Sequence, residues 1–209
     1  MSRKPRLRIS RRLGGVDLSF TSGVRPLKEK CKLEQRPGVA GVNTRRGGRP
    51  SVYSTQLRMK QMIQKTYLLK EGPFRRLFQK AQKQRGSTAD NLMVLLESRL
   101  DNVVYRMGFA STRAQARQFV SHCHFLVNGE KVNIPSVHIK AGDTITVRDK
   151  SKTLLAIKSA LDLSEQNESS CAWINTNATD MSGLFEAQPD VSIFSDQFQV
   201  DLVVEFYSK

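Results

Sequence analysis

Apolar residues in the middle of the chain recur with the spacing of a helix. Leu57, Met59, Met62, Ile63 and Tyr67 fit one amphipathic helix starting near Ser54. The EGP run at residues 71–73 ends it and opens another, with Pro73 in a first turn that can do without its N–H. Phe74, Leu77, Phe78 and Ala81 then follow at i, i+3, i+4 and i+7, and Gly86 closes this second helix. Thr88 is placed to cap a third, in which Leu92, Leu95, Leu96, Leu100, Val103, Val104 and Met107 keep helical spacing as far as Gly108. These stripes read as core rather than as a cofactor box.

A fourth helix is predicted from Thr112, because Gln115 three residues on completes a capping-box pattern. Ala116, Phe119, Val120 and Cys123 share its apolar face. Arg113, Arg117 and Ser121 form the adjacent stripe, with Gln118 and His122 farther round. Two arginines so near a helix start oppose the helix dipole, a cost that an external anion would offset. The unpaired N–H groups there attract the same kind of ligand; a merely solvated charged face is the alternative. Beyond the helix the period drops to two. HFLVNGEKVNI sets Asn128-Gly129 between two short strand-forming runs, a hairpin signal. A turn at Ala141-Gly142-Asp143 leads to a further strand, TITVRD. Residues 172–174 and 200–206 read as strands whose partners the sequence does not name, and Trp173 reads as a core anchor.

Charge changes the picture. The 209 residues carry 34 Lys and Arg against 19 Asp and Glu, for a net charge of +15. Residues 1–90 hold 23 basic and 5 acidic side chains, 91–160 hold 10 and 5, and 161–209 hold 1 and 9, so the three segments stand at +18, +5 and −8. This gradient points to a nucleic-acid-binding amino-terminal half and an acidic end that faces solvent or a basic partner. In the first fifty residues the apolar pattern is too weak for a packed domain, and an extended basic arm that orders on a polyanion is expected. Its candidate RNA contacts are Arg3, Arg6, Arg8, Arg11 and Arg12, then Arg45, Arg46 and Arg49, the last three interleaved with Gly47 and Gly48. A disordered solubilising tail is the plainer reading of the same residues. Arg58, Lys60, Arg75, Arg76, Lys80, Lys83 and Arg85 extend the candidate surface over the helices, and Arg113, Arg117, Gln118, Ser121 and His122 complete it.

Other chemistry is poorly represented. Cys31, Cys123 and Cys171 stand far apart, and the neighbours His122, Cys123 and His124 point in different directions, so neither a disulfide nor a metal site is expected. No nucleotide-binding or metalloprotease motif occurs, so no cofactor, no catalytic residue and no small-molecule substrate are expected. No apolar run approaches the roughly 20 residues of a membrane span, and the start MSRKPRLRISRR lacks the apolar segment of a secretory signal. The expected protein is soluble and intracellular, with no membrane partner. An organelle address would also begin Arg-rich and acid-poor, but Gly14 and Gly15 interrupt the helix it would need.

Helix, turn, helix and then a small antiparallel sheet make an α+β unit that resembles the S-four RNA-binding domain. The resemblance widens with LESRLDNVVYRMGFASTRAQARQFVSH and VNGEKVNIPS, supported by SGVRPLKEKCKLEQRPG and the terminal VVEFYSK. Together these are similar to the bacterial small-subunit ribosomal protein S-four family. The corresponding division is an extended basic arm over residues 1–50, a helical domain over 51–92 completed by 165–209, and the S-four domain over 93–160. The resemblance implies a structural, non-catalytic protein of the cytoplasmic small ribosomal subunit. It implies a primary binder of small-subunit ribosomal RNA, at a multi-helix junction in the 5′ domain, that nucleates assembly of the subunit body. It also implies ribosomal proteins S-three and S-five as neighbours, a messenger RNA path lined by Arg45, Arg46 and Arg49, and a part in translational accuracy. Some members repress their own operon.

The chain departs from the family pattern in places. Cys31 stands alone in the first ninety residues, as in the zinc-free type. PGVAG replaces the usual Gly-Gln-His-Gly run, and the end from Leu161 is unusually acidic. A divergent second copy used under particular conditions is therefore one alternative. An RNA-modifying or RNA-processing factor carrying an S-four domain is another, although no room for a catalytic domain is evident. A helix-turn-helix DNA reader would use the helix from Arg113 but leaves the long arm and the Asn-Gly hairpin unexplained. For RNA, recognition by backbone shape is expected, since A-form duplexes hide their base edges in a deep groove.

Overall fold

Three hydroxyl side chains start three of the helices in the same way. The Ser51 Oγ accepts from the Ser54 N–H at 3.2 Å, Ser87 Oγ from Asp90 N–H at 3.4 Å, and Thr112 Oγ1 from Gln115 N–H at 3.2 Å. Each supplies an acceptor for an N–H that has no partner within the helix. The third helix is thus capped by Ser87, one residue before the Thr88 expected from sequence. At Thr112 the capping box is incomplete: Gln115 Oε1 accepts instead from Ser111, from its N–H at 2.9 Å and its hydroxyl at 2.6 Å.

A computed structural model of the chain describes residues 6–13, 51–166, 171–195 and 198–208. The helices are α1 (Arg6–Arg12), α2 (Val52–Thr66), α3 (Glu71–Gln82), α4 (Thr88–Glu97), α5 (Leu100–Arg106) and α6 (Arg113–Ser121). Strands β1 (Phe125–Val127), β2 (Glu130–Lys131) and β3 (Thr144–Val147) follow, then a 3-10 turn at Asp149–Ser151 and α7 (Leu155–Gln166). Strands β4 (Ile174–Asn177) and β5 (Ser182–Phe185) and helices α8 (Ser192–Ser195) and α9 (Asp201–Tyr207) complete the described elements. The strands form one antiparallel sheet in the order β2-β1-β3-β5-β4, so the class is α+β. Among the described residues no helix is long and apolar enough to cross a membrane.

Asn128 and Gly129 both take positive φ, 51° and 82°, and join β1 to β2 as the sequence predicts. Asn128 also pins the next turn. Its Oδ1 accepts from the Thr144 N–H at 2.9 Å, and its Nδ2 donates to Asp143 Oδ1 at 2.9 Å.

Four expectations are corrected. Residues 6–12 form α1 rather than an extended arm, because Leu13 is buried and Ile9 packs beside it, next to Gln61 and Lys65 of α2. The single helix expected from 88 to 107 breaks at Ser98-Arg99. There Arg99 is extended and bridges to His138, Leu100 N–H donates to Val137 O, and Ile139 N–H donates to Ser98 O. Residues 200–206 are helical: Val200 and Val203 are buried and Tyr207 stacks on Phe78 at 4.7 Å. The strand expected at 172–174 lies instead at Ile174–Asn177, paired with β5, which the sequence reading missed.

One apolar core runs from the helices into the sheet, with Ile63, Phe74, Leu92, Leu96 and Leu100 continuous with Phe109, Phe125, Ile145 and Ile157. Each such side chain is worth about 1.5–3 kcal/mol of burial. The helix α9 packs on α2 and α4, whereas β4 and β5 extend the sheet begun by β1 to β3. The division drawn after residue 92 falls inside α4. At Gly183 a side chain would meet Met107 Sδ at 2.6 Å, so β5 crosses directly over the end of α5.

Candidate RNA interface

The surface that could meet RNA is held in place by a buried polar cluster beneath it. Glu97 closes α4 with its side chain fully buried. Arg106, one helix later, grips both carboxylate oxygens, Nε to Oε2 at 3.1 Å and Nη2 to Oε1 at 3.0 Å. Asn102 Nδ2 donates to Oε2 at 2.6 Å, and the Tyr67 hydroxyl from α2 donates to Oε1. Burial opposes the ionised form of Glu97, but the charge of Arg106 and its hydrogen bonds overcome this and hold the carboxyl below its usual range. Burial, and after it the same carboxylate, pushes the Tyr67 phenol well above its usual value.

The cluster reaches the surface through Arg113, whose Nε donates to Asn102 Oδ1 at 2.8 Å while its guanidinium lies 4.5 Å from the Tyr105 ring centroid and 5.1 Å from that of Tyr67. One nitrogen is spent on the fold and the guanidinium packs beside two rings. Its two terminal nitrogens have no protein acceptor at hydrogen-bond distance among the described contacts and form a fork suited to a phosphate. One turn on, Arg117 is exposed and donates from Nη1 to Leu68 O at 3.2 Å, tying α6 to the end of α2. Gln118, Ser121 and His122 are exposed on the same helix and its cap.

A second group of cations lies on α3 and just beyond it. Phe74, Phe78 and Ala81 face inward, which turns Arg75, Arg76 and Lys80 to solvent, and Lys83 and Arg85 are exposed after the helix ends. Arg58 on α2 is exposed as well. Lys60 is the exception and a correction to the sequence reading. Its side chain is only 9% exposed, its Nζ sits 3.1 Å from Glu71 and 4.5 Å from the Phe206 ring centroid, and it is spent on joining α2 to α3 and α9. Gln64 and the Tyr207 hydroxyl donate to the same Glu71, each at 2.6 Å. Burial works against the ionised form of Glu71, but the hydrogen bonds from Tyr207, Gln64 and Lys60 keep its carboxyl below the usual range. Arg11 and Arg12 lie on α1, where Arg12 is exposed. Arg3, Arg45, Arg46 and Arg49 lie outside the described residues, as do the side chains of Arg6 and Arg8. Among the described residues no group of three or more His, Cys, Asp or Glu is placed to hold a metal ion.

Comparison with known proteins supplies the deciding observation. Residues 2–97 match the family described as ribosomal protein S4/S9 N-terminal domain, and residues 98–145 match the S4 domain. The small ribosomal subunit protein uS4 of Coxiella burnetii is 50% identical over 98% of this chain and 97% of its own length. The chain belongs to the uS4 family. Relatives of the same name from Nitrosococcus oceani and Halorhodospira halophila are 49% and 47% identical over the same shares. Within this chain the two matched regions meet between Glu97 and Ser98, at the residue around which the buried cluster is built.

Sequence reasoning missed Glu97, Asn102, Tyr67 and Tyr105 as positioning residues for Arg113. A signal was present: Glu97 follows Leu92, Leu95 and Leu96 on the apolar side of its helix, where an acid is tolerated only with a partner.

Proposed function

We propose that this uS4-family chain is a structural, non-catalytic constituent of the small ribosomal subunit in the cytoplasm. In this reading it binds small-subunit ribosomal RNA at a helical junction of the 5′ domain and nucleates assembly of the subunit body. The observation that carries the reading is the fixed guanidinium of Arg113. A side chain held at Nε and packed beside the Tyr67 and Tyr105 rings presents a pre-positioned phosphate-binding site at little further entropic cost. Arg117 beside it, and Arg75, Arg76 and Lys80 on another helix, would meet different arms of the junction through their backbones. With roughly 6–10 phosphate contacts, affinity falls by several orders of magnitude between low and moderate salt.

The arm with Arg45, Arg46 and Arg49 lines the path by which messenger RNA enters the subunit, beside ribosomal proteins S-three and S-five. Through those neighbours the protein contributes to translational accuracy. The support for these assignments is family resemblance. The test is sedimentation of a lysate from cells expressing the tagged chain. Stoichiometric recovery with small subunits is the expected result, and a chain found only in free fractions or on another RNA would overturn it.

A further inference from the structure

We propose that Arg148 and Lys150, with His122 and His124 beside them, form a second RNA-phosphate site on the S4 domain, separate from the fork of Arg113. The inference rests on the RNA-binding function proposed above and assigns that function residues that no charge run marks.

Three observations place these groups together. The Arg148 N–H donates to His124 O at 2.9 Å, which fixes the end of β3 against the chain leaving α6. His124 Nδ1 lies 2.9 Å from the Oγ of Ser151, a buried residue, which locks the 3-10 turn carrying Lys150 onto the same spot. The His122 and His124 rings lie 6.1 Å apart, and the Phe119 ring meets His124 edge-on at 5.5 Å, which braces the His124 imidazole. Burial, then His122 and Arg148, depress the His124 imidazole, as expected where basic groups crowd without an anion.

The acid between the two cations in sequence is turned outward, its side chain 94% exposed. Asp149 pairs with Lys152 at 2.9 Å, and neither Arg148 nor Lys150 makes an ion pair among the described residues. Lys150 is exposed and Arg148 partly so. What remains is a cluster of donors on a rigid turn, at the opposite end of α6 from Arg113. A phosphodiester backbone supplies the missing acceptors and has the length to run from one end of the helix to the other.

The test uses the full chain and a transcript of the small-subunit ribosomal RNA 5′ domain, in filter binding across a salt series and in hydroxyl-radical footprinting. For Arg148→Gln with Lys150→Gln, changes at residues outside the buried core, the slope of log affinity against log salt should become shallower by roughly 1.5, the share of two phosphates. Protection should disappear from one RNA segment and persist elsewhere. An unchanged slope with an unchanged footprint overturns the site, and so does an effect seen only when an acidic protein is the ligand. If the unaltered chain shows no salt-dependent binding to the transcript, the RNA-binding reading fails first, and the two failures are distinguished.

Discussion

Glu97 and Arg106, each near the end of its own helix, face one another through two hydrogen bonds of 3.0 and 3.1 Å across the break between α4 and α5. This pair explains why the helix pattern can break at Ser98-Arg99 without loosening the fold. The same carboxylate gathers Tyr67 and Asn102, and Asn102 in turn orients Arg113. A buried acid in the helical region therefore sets the direction of a surface cation in the S4 domain.

Replacing Glu97 with Gln leaves Arg106 partly buried and without its counter-charge. We expect a loss of about 3–5 kcal/mol in urea unfolding, the usual cost of breaking a buried pair from one side. A loss below about 1 kcal/mol would show that the cluster does not hold the two helices together.

Acid should weaken the fold in two stages. Burial, with Lys80 and Arg99 nearby, pushes the His138 imidazole down from 6.5 to about 4, where it stays neutral beside Ser98. Its folded value lies below its unfolded one, so the unfolded chain takes the proton first, and the stability is complete above 6.5 and lost as the pH falls to about 4. Glu97, also held below its unfolded value of 4.5, adds a second loss of the same sign below that point. Thermal midpoints of the chain should fall between pH 6.5 and 4, and His138→Gln should flatten that part of the profile. A variant that tracks the parent over this interval would contradict the assignment.

Gly108 ends α5 at φ +80°, and a Cβ there would run into the side chain of Ser164 on α7. Gly108→Ala should cost about 1–3 kcal/mol from backbone strain, before any displacement of α7 is counted. Gly129, at φ +82° in open space, should carry the strain alone. Equal losses in the two variants, measured by urea unfolding, would mean that the contact with Ser164 is easily relieved.

Lys60 and Arg76 separate structural from surface cations. Lys60→Met should lower stability and leave the salt dependence of RNA binding unchanged, because its ammonium is buried against Glu71 and Phe206. Arg76→Glu should leave stability within about 0.5 kcal/mol and make the salt dependence shallower. The reverse pattern, in paired unfolding and filter-binding series, would contradict the placement of both residues.

The hairpin at Asn128-Gly129 and the cap at Thr112 were legible because each is decided by neighbours in sequence. The break at Ser98-Arg99 was not, since Leu96 and Leu100 keep perfect i, i+4 spacing and the interruption comes from residues 137–139. The last segment misled through its valines. Val200, Val203, Val204 and Tyr207 carry the helical period, but β-branched side chains suggested a strand, and only packing against α2 decides between them. Among the candidate cations, charge alone could not tell Lys60 from Arg58, because burial depends on where Glu71 and Phe206 arrive.

The central claim is that cations held in a fixed array recognise the contour of folded RNA, and competition tests it most directly. The full chain is bound to the folded 5′-domain transcript and challenged with polyuridine of equal nucleotide concentration at moderate salt. Retention of the transcript complex, and its weakening when Arg113 and Arg117 are both changed to Glu, is the expected result. Equal grip on polyuridine, or unchanged affinity after that double reversal, would contradict it.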